Sequence, residues 1–337
     1  MRKNVIWTLC LSVLVACEQP NLCENEGELS NSVRVEAEVS SQHITSRTST
    51  SKGKVTFGEN DVIGFYTPKT EKSGSWTYSQ GVWSSEQVYT WPDKNVTYDF
   101  CAYYPFVAAE KRNEITMPPL RRQTGESSNL GKYDFLVARC SSSYATNKGA
   151  VSFTGDQAFH HVFALMVITF STNSETKGST LTSISLNAKD LMTPHTYHFG
   201  SKEIEDGMTV VGESVDAFSL NDLTKSITTE GLTQMFVVNP LNSSETVGIT
   251  INYSRDGKNY TASTKVKATT IQEGNLNQLN ILIKKSGLVV EGNTVVDWTT
   301  NDPQDLTVEE TPKETPKETP KETPQETSKE ESSLGGA

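Results

Sequence analysis

Two imidazoles three residues apart, in His195-Thr196-Tyr197-His198, and an adjacent pair, His160-His161, come nearest to a ready-made metal or acid–base site in this sequence. On a helix a spacing of three puts both rings on one face and would suit zinc; on a strand it puts them on opposite faces. The residues around both pairs are apolar, aromatic or turn-forming, so both are read as strand or loop, with packed or surface side chains rather than ligands. There is no Gly-rich phosphate loop, no Gly-x-Ser-x-Gly elbow and no zinc-type cysteine pair. The carboxylates are scattered, and no pairing suited to glycosidase acid–base work can be read. The expectation is no catalytic residue, no metal, no cofactor and no enzyme activity.

The cysteines point to different chemistry. Arg2 and Lys3 precede an uncharged apolar run, Val5 to Ala16, that ends in Leu14-Val15-Ala16-Cys17 and the polar Glu18-Gln19-Pro20. This has the layout of a secretory signal, and it is shorter than the roughly 18 or more apolar residues that a spanning helix needs. The junction resembles a bacterial lipobox, with small Ala16 before the cut and Cys17 as the thiol that takes a diacylglycerol. Residues 1–16 are thus expected to be a signal peptide, and 17–32 a lipidated linker tethered to a membrane at Cys17. Cys23, Cys101 and Cys140 remain, an odd set that cannot complete a disulfide framework. A Cys101–Cys140 bridge is one reading; burial of both as small apolar groups is the favoured one.

A net charge of −11 offers no basic surface, so nucleic acid is not an expected partner. The dense aromatic set Trp76, Tyr78, Trp83, Tyr89 and Trp91 would suit sugar stacking, but core packing of a small sandwich explains it better.

The elements that must carry these residues are short β-branched and aromatic runs broken by Gly, Asn, Asp, Ser and Pro, with almost no 3.6-residue periodicity. The chain reads as all-β. Predicted strands include Val33 to Val39, Asp61 to Thr67, Val88 to Trp91, Val96 to Phe106, Asp134 to Ala138, Phe159 to Phe170, Thr246 to Tyr253, Tyr260 to Val266 and Leu288 to Trp298. Asp256-Gly257 has the chemistry of a tight hairpin turn. Met117 to Lys132 is read as a long surface loop. The expected division is an N-terminal β-sandwich over 33–155, a C-terminal β-sandwich over 156–303 and a disordered tail over 304–337. Within that tail, Thr311 to Thr327 repeats Glu-Thr-Pro-Lys with no apolar side chain to bury. Prolines favour an extended strut, and at about 3.1 Å per residue the last 35 or so residues would reach roughly 100 Å.

Several phrases together resemble the fimbrillin (Mfa-like) family of Bacteroidales surface lipoproteins. They are Arg47-Thr48-Ser49, Asp61-Val62-Ile63-Gly64-Phe65-Tyr66, Ala102-Tyr103-Tyr104-Pro105, Asp134-Phe135-Leu136-Val137-Ala138, Phe159-His160-His161-Val162-Phe163-Ala164-Leu165, Tyr260-Thr261-Ala262-Ser263, Gly274-Asn275-Leu276-Asn277 and Val296-Asp297-Trp298. The resemblance implies two tandem transthyretin-like sandwiches and a structural or adhesive subunit of a cell-surface fimbrium, exported to the outer membrane as a lipoprotein. It further implies proteolysis after Arg47, leaving Thr48 as the new N-terminus, loss of the strand Val33 to Val39, and donor-strand exchange with other fimbrial subunits. The alternative reading of Arg47 is an ordinary solvated loop residue. After Trp298 only Leu306 and Val308 precede the charged repeat, which favours a tip, accessory or anchored form over a stalk subunit. A host or bacterial surface receptor or glycan is a further expected partner. The competing reading is a stand-alone carbohydrate-binding lipoprotein that never polymerises.

Overall fold

The computed structural model describes residues 31–40, 50–51, 54–55, 57–201, 204–242, 244–268, 271–297 and 304–305. The signal peptide, Cys17, Arg47, Thr48 and the tail beyond Asp305 lie outside these residues. In the first half the strands are β1 (Arg34–Ala37), β2 (Thr50–Ser51), β3 (Lys54–Val55), β4 (Val62–Tyr66), β5 (Gly74–Ser79), β6 (Val82–Ser84), β7 (Tyr98–Tyr104), β8 (Ile115–Thr116), β9 (Leu136–Ser142), β10 (Ala150–Phe153) and β11 (His160–His161). The second half continues with β12 (Ala164–Thr172), β13 (Thr180–Asn187), β14 (His195–His198), β15 (Gly207–Val210), β16 (Ala217–Leu220), β17 (Lys225–Ser226) and β18 (Leu232–Val238). It ends with β19 (Thr246–Arg255), β20 (Lys258–Lys267), β21 (Asn275–Lys284), β22 (Gly287–Asp297) and β23 (Gln304–Asp305). Among the described residues a one-turn α-helix, α1 (Tyr144–Asn147), is capped by Ser143.

In the first sandwich a six-stranded sheet runs β11-β9-β7-β4-β5-β6, and the two-stranded parallel ribbon β1-β10 lies on one of its faces. Period-two alternation sorts the side chains. Phe100, Ala102 and Tyr104 of β7 enter the core beneath the ribbon with Leu136, Ala138 and Cys140 of β9. Cys101, Tyr103 and Val137 point the other way, into a cluster shared with the second half. Gly64 of β4 is fixed by this packing, because a Cβ there would sit 2.1 Å from Cε1 of Tyr103.

In the second sandwich the sheet β18-β12-β21-β22-β23 faces β16-β13-β19-β20, with β17 beside β13. The β19–β20 hairpin turns at Asp256 (φ 51°) and Gly257 (φ 71°), as Asp-Gly predicts. The fold is nearly all β, in two sandwiches, as expected from the sequence.

Three expectations need correcting. Val88 to Trp91 is extended but makes only an isolated bridge, Thr90 to Ser32. Phe159 to Phe170 is two strands: His160 and His161 still pair with β9, and β12 starts at Ala164. The segment Met117 to Lys132 is not a surface loop. Met117, Leu120 and Leu130 enter the shared core, and just ahead of it β8 joins β14 and β15 in a sheet built from both halves. Gln123 is buried because its carboxamide imitates a strand: Nε2 donates to the Val237 carbonyl at 2.6 Å, and Oε1 accepts from the Val237 N–H at 2.7 Å.

Candidate functional site

The feature that chemistry and packing single out is β1 and the slot it fills. Arg34 and Glu36 are exposed while Val33, Val35 and Val39 are 6%, 6% and 3% exposed, so one face of the strand seals the first core. Arg34 to Ala37 pairs in parallel with Ala150 to Phe153, and Val39 continues the pairing at Phe159. Bonds beyond the ladder hold both ends: Val33 N–H to Tyr89 O at 2.7 Å, Arg34 N–H to Gly149 O at 2.9 Å, and Ser40 N–H to Phe159 O at 2.8 Å. The slot floor is aromatic. Phe57 meets Trp83 at 5.0 Å and Phe159 at 5.2 Å between ring centroids, and Trp91 meets Phe100 at 5.2 Å, all edge-on. Ribbon β1-β10 is one whole layer of the sandwich, so losing β1 leaves β10 with a bare edge over an apolar groove.

The same core holds the aromatic set weighed for sugar binding. Trp76, Trp83, Tyr89 and Trp91 are buried and Tyr78 packs against them, so their faces meet one another rather than a ligand.

The histidines are dispersed. His161 is buried beside Asp134, its Nδ1 2.8 Å from Oδ2, and so fastens β11 to the start of β9. His160 faces away, 3.8 Å from Glu273. His195 is bonded at Nδ1 to the Thr193 carbonyl, and His198 lies across the strand near Thr209. Among the described residues no three His, Cys, Asp or Glu side chains gather as a metal would need.

Cys101 and Cys140 are free and buried on neighbouring strands. Cys101 is opposite Arg139 in the ladder and Cys140 opposite Phe100, so the two thiols project from opposite faces of the sheet and no bridge can form. Burial pushes Cys101 up to about 11 and Cys140 up to about 12, which leaves both unreactive.

The halves are also joined by Arg139, whose guanidinium grips both oxygens of Asp206 at 2.6 and 3.1 Å and the Gly200 carbonyl at 3.1 Å. Neither this fork nor the Gln123 clamp is marked by a sequence motif.

A two-sandwich chain with an N-terminal strand laid into an apolar slot, and with His161, Cys101 and Cys140 buried in its cores, falls in the class of structural or adhesive modules. It belongs to the fimbrillin-like family, whose model matches residues 46–298. Proteins of this family are structural or adhesive components of the cell surface and not enzymes. No curated protein matches by sequence. Among solved structures, a Bacteroides uniformis protein assigned to cell adhesion is similar in fold, with 19% identity, a TM-score of 0.56, and 80% of this chain and 99% of that one covered. A C-terminally truncated tip fimbrial protein from Porphyromonas gingivalis is more distant, at 9% identity and a TM-score of 0.39 over 79% of this chain and 100% of that one. At that distance the likeness carries no weight for the role of this chain.

Proposed function

We propose that this chain is a fimbrial or adhesive subunit, delivered to the outer membrane by lipid on Cys17 and made competent for assembly by proteolysis after Arg47. The observation that carries the reading is β1 with its flanks: an alternating stretch, Val33 to Val39, with three buried valines, joined to the rest of the chain through the residues that contain Arg47. Cleavage there would detach Cys17 and β1 together, and a neighbouring subunit's strand would repair the β10 edge and refill the valine positions. The place in the fibre is a tip, accessory or anchored one. Support comes from β22, which pairs with β21 along its whole length and belongs to its own domain rather than to a neighbour.

The test is N-terminal sequencing of protein taken from assembled surface fibres. A start at Thr48 is expected, and intact lipidated Cys17 in every copy would refute the cleavage step. The same fibres should run as high-mass species in mild detergent; a single band at the monomer mass would favour a solitary anchored binder instead.

A further inference from the structure

In the sheet order of the second sandwich β18 stands at one end, with β12 on one side and, among the described residues, no strand on the other. Its sequence, Leu232–Val238, holds no charge and no proline, and an edge of that kind pairs readily with any strand that meets it. What lies along it comes from the first half of the chain. The Met235 N–H donates to the Gly125 carbonyl at 3.0 Å, and the Val237 N–H and carbonyl are both held by the Gln123 carboxamide. Gly125 comes this close because it has no side chain: a Cβ there would stand 2.6 Å from Oε1 of Gln234. Beside it the Glu126 carboxylate takes the ammonium of Lys225.

These residues end a run that begins at Arg112 and touches both halves. The chain leaves the first sheet from β7 and returns to it at β9, two strands that pair side by side. Arg112 faces both ways. Its Nη2 donates to the Thr67 carbonyl at 2.6 Å and to the Thr70 carbonyl at 3.1 Å, both in the first half, while its own carbonyl accepts from the Phe199 N–H of the second at 3.0 Å. Further along, β8 pairs with β14, and the Met117 N–H reaches the His195 carbonyl at 3.3 Å. Just ahead of β9 the Tyr133 hydroxyl donates back to the Arg122 carbonyl. We propose that residues 112–126 act as a strap, fastened to the first half at Arg112 and Tyr133, that holds the β18 edge shut. The second sandwich then keeps this edge closed only while the strap stays anchored on the first, so a division near residue 155 separates two sandwiches but not two independent folding units. The inference does not depend on the reading of β1.

Hydrogen exchange on the full chain, followed by mass spectrometry of its peptides, tests this with a variant that alters neither Gln123 nor β18. Arg112→Ala removes the two bonds to Thr67 and Thr70, and exchange over residues 232–238 should rise about tenfold while β13 and β19 keep their protection. Faster exchange confined to residues 66–70 would overturn the proposal, because Arg112 would then pin only its own surroundings. Unchanged exchange throughout would overturn it too. The wild-type chain supplies a second reading that needs no variant. In low denaturant, residues 115–118 and 232–238 should become exchangeable together, with one shared dependence on denaturant, and separate openings would refute the strap.

Discussion

Val35→Ala is the sharpest probe of how β1 is held. Val35 is 6% exposed, pairs with Val151 at 0%, and points into the first core. The substitution removes two methyl groups, about 1.6 kcal/mol at roughly 0.8 per carbon. The void left behind adds about 1 kcal/mol if some 40–50 Å³ stays unfilled, at about 24 cal/mol per Å³. The expected loss is therefore about 2–3 kcal/mol, or a fall of about 5–10 °C in Tm. Glu36→Ala, one residue on and exposed, should stay within about 0.5 kcal/mol of wild type. Denaturant unfolding followed by tryptophan fluorescence suits the question, because Trp76, Trp83 and Trp91 all lie in the core that β1 covers. Equal effects at positions 35 and 36, or a Val35→Ala loss below about 0.5 kcal/mol, would refute the one-faced docking of the strand and the groove argument with it.

Gln123→Ala should cost about 2–4 kcal/mol, since it leaves the buried N–H and carbonyl of Val237 unpaired; equilibrium unfolding measures it. Asp134→Ala should cost about 1–3 kcal/mol by stranding buried His161, again read from the denaturant midpoint. Cys101 and Cys140 should resist a thiol reagent at pH 8 until denaturant is added. Their folded values are raised from the ordinary 9.0 to about 11 and about 12, so the folded state holds these protons more tightly than the unfolded chain does. Their contribution to stability is therefore complete below pH 9 and lost as pH climbs through that window, which a series of unfolding midpoints at rising pH will register. Trp83→Ala should destabilise the first sandwich by about 3–5 kcal/mol, with no loss of glycan binding to accompany it; thermal melts and a glycan array check the two halves of that statement.

Where one face of an element meets a core and the other meets water, the pattern of residues is readable. Val33 to Val39 alternates because its ribbon has only one buried side, and Thr246 to Val266 alternates around an Asp-Gly turn for the same reason. The reading fails where both sides are covered. Within Phe159 to Phe170 the residues Val162 to Ile168 are unbroken apolar because the chain passes there from one core to the other, and nothing in such a run marks where one strand stops. Met117 to Lys132 looks like solvent-facing loop since its polar groups suggest water; Gln123 instead spends its carboxamide on a neighbouring strand, a use that composition cannot disclose. The thiols show the limit of counting residues. Cys101 and Cys140 become neighbours only through the pairing of β7 and β9, and it is the register that turns them apart.

The parallel pairing of β1 with β10 also has a mechanical meaning. Chain direction puts Asn31 and Ser32 at the far end of the first sandwich, beside Trp91 and Thr90, while β10 leads on through Phe159 to the second. A pull on the residues ahead of Asn31, resisted from the second sandwich, draws β1 from its start and β10 from its finish. The two strands are then loaded in shear, and their rungs carry tension together instead of parting one by one. The first strand therefore holds hardest along the line in which its two ends would be pulled apart.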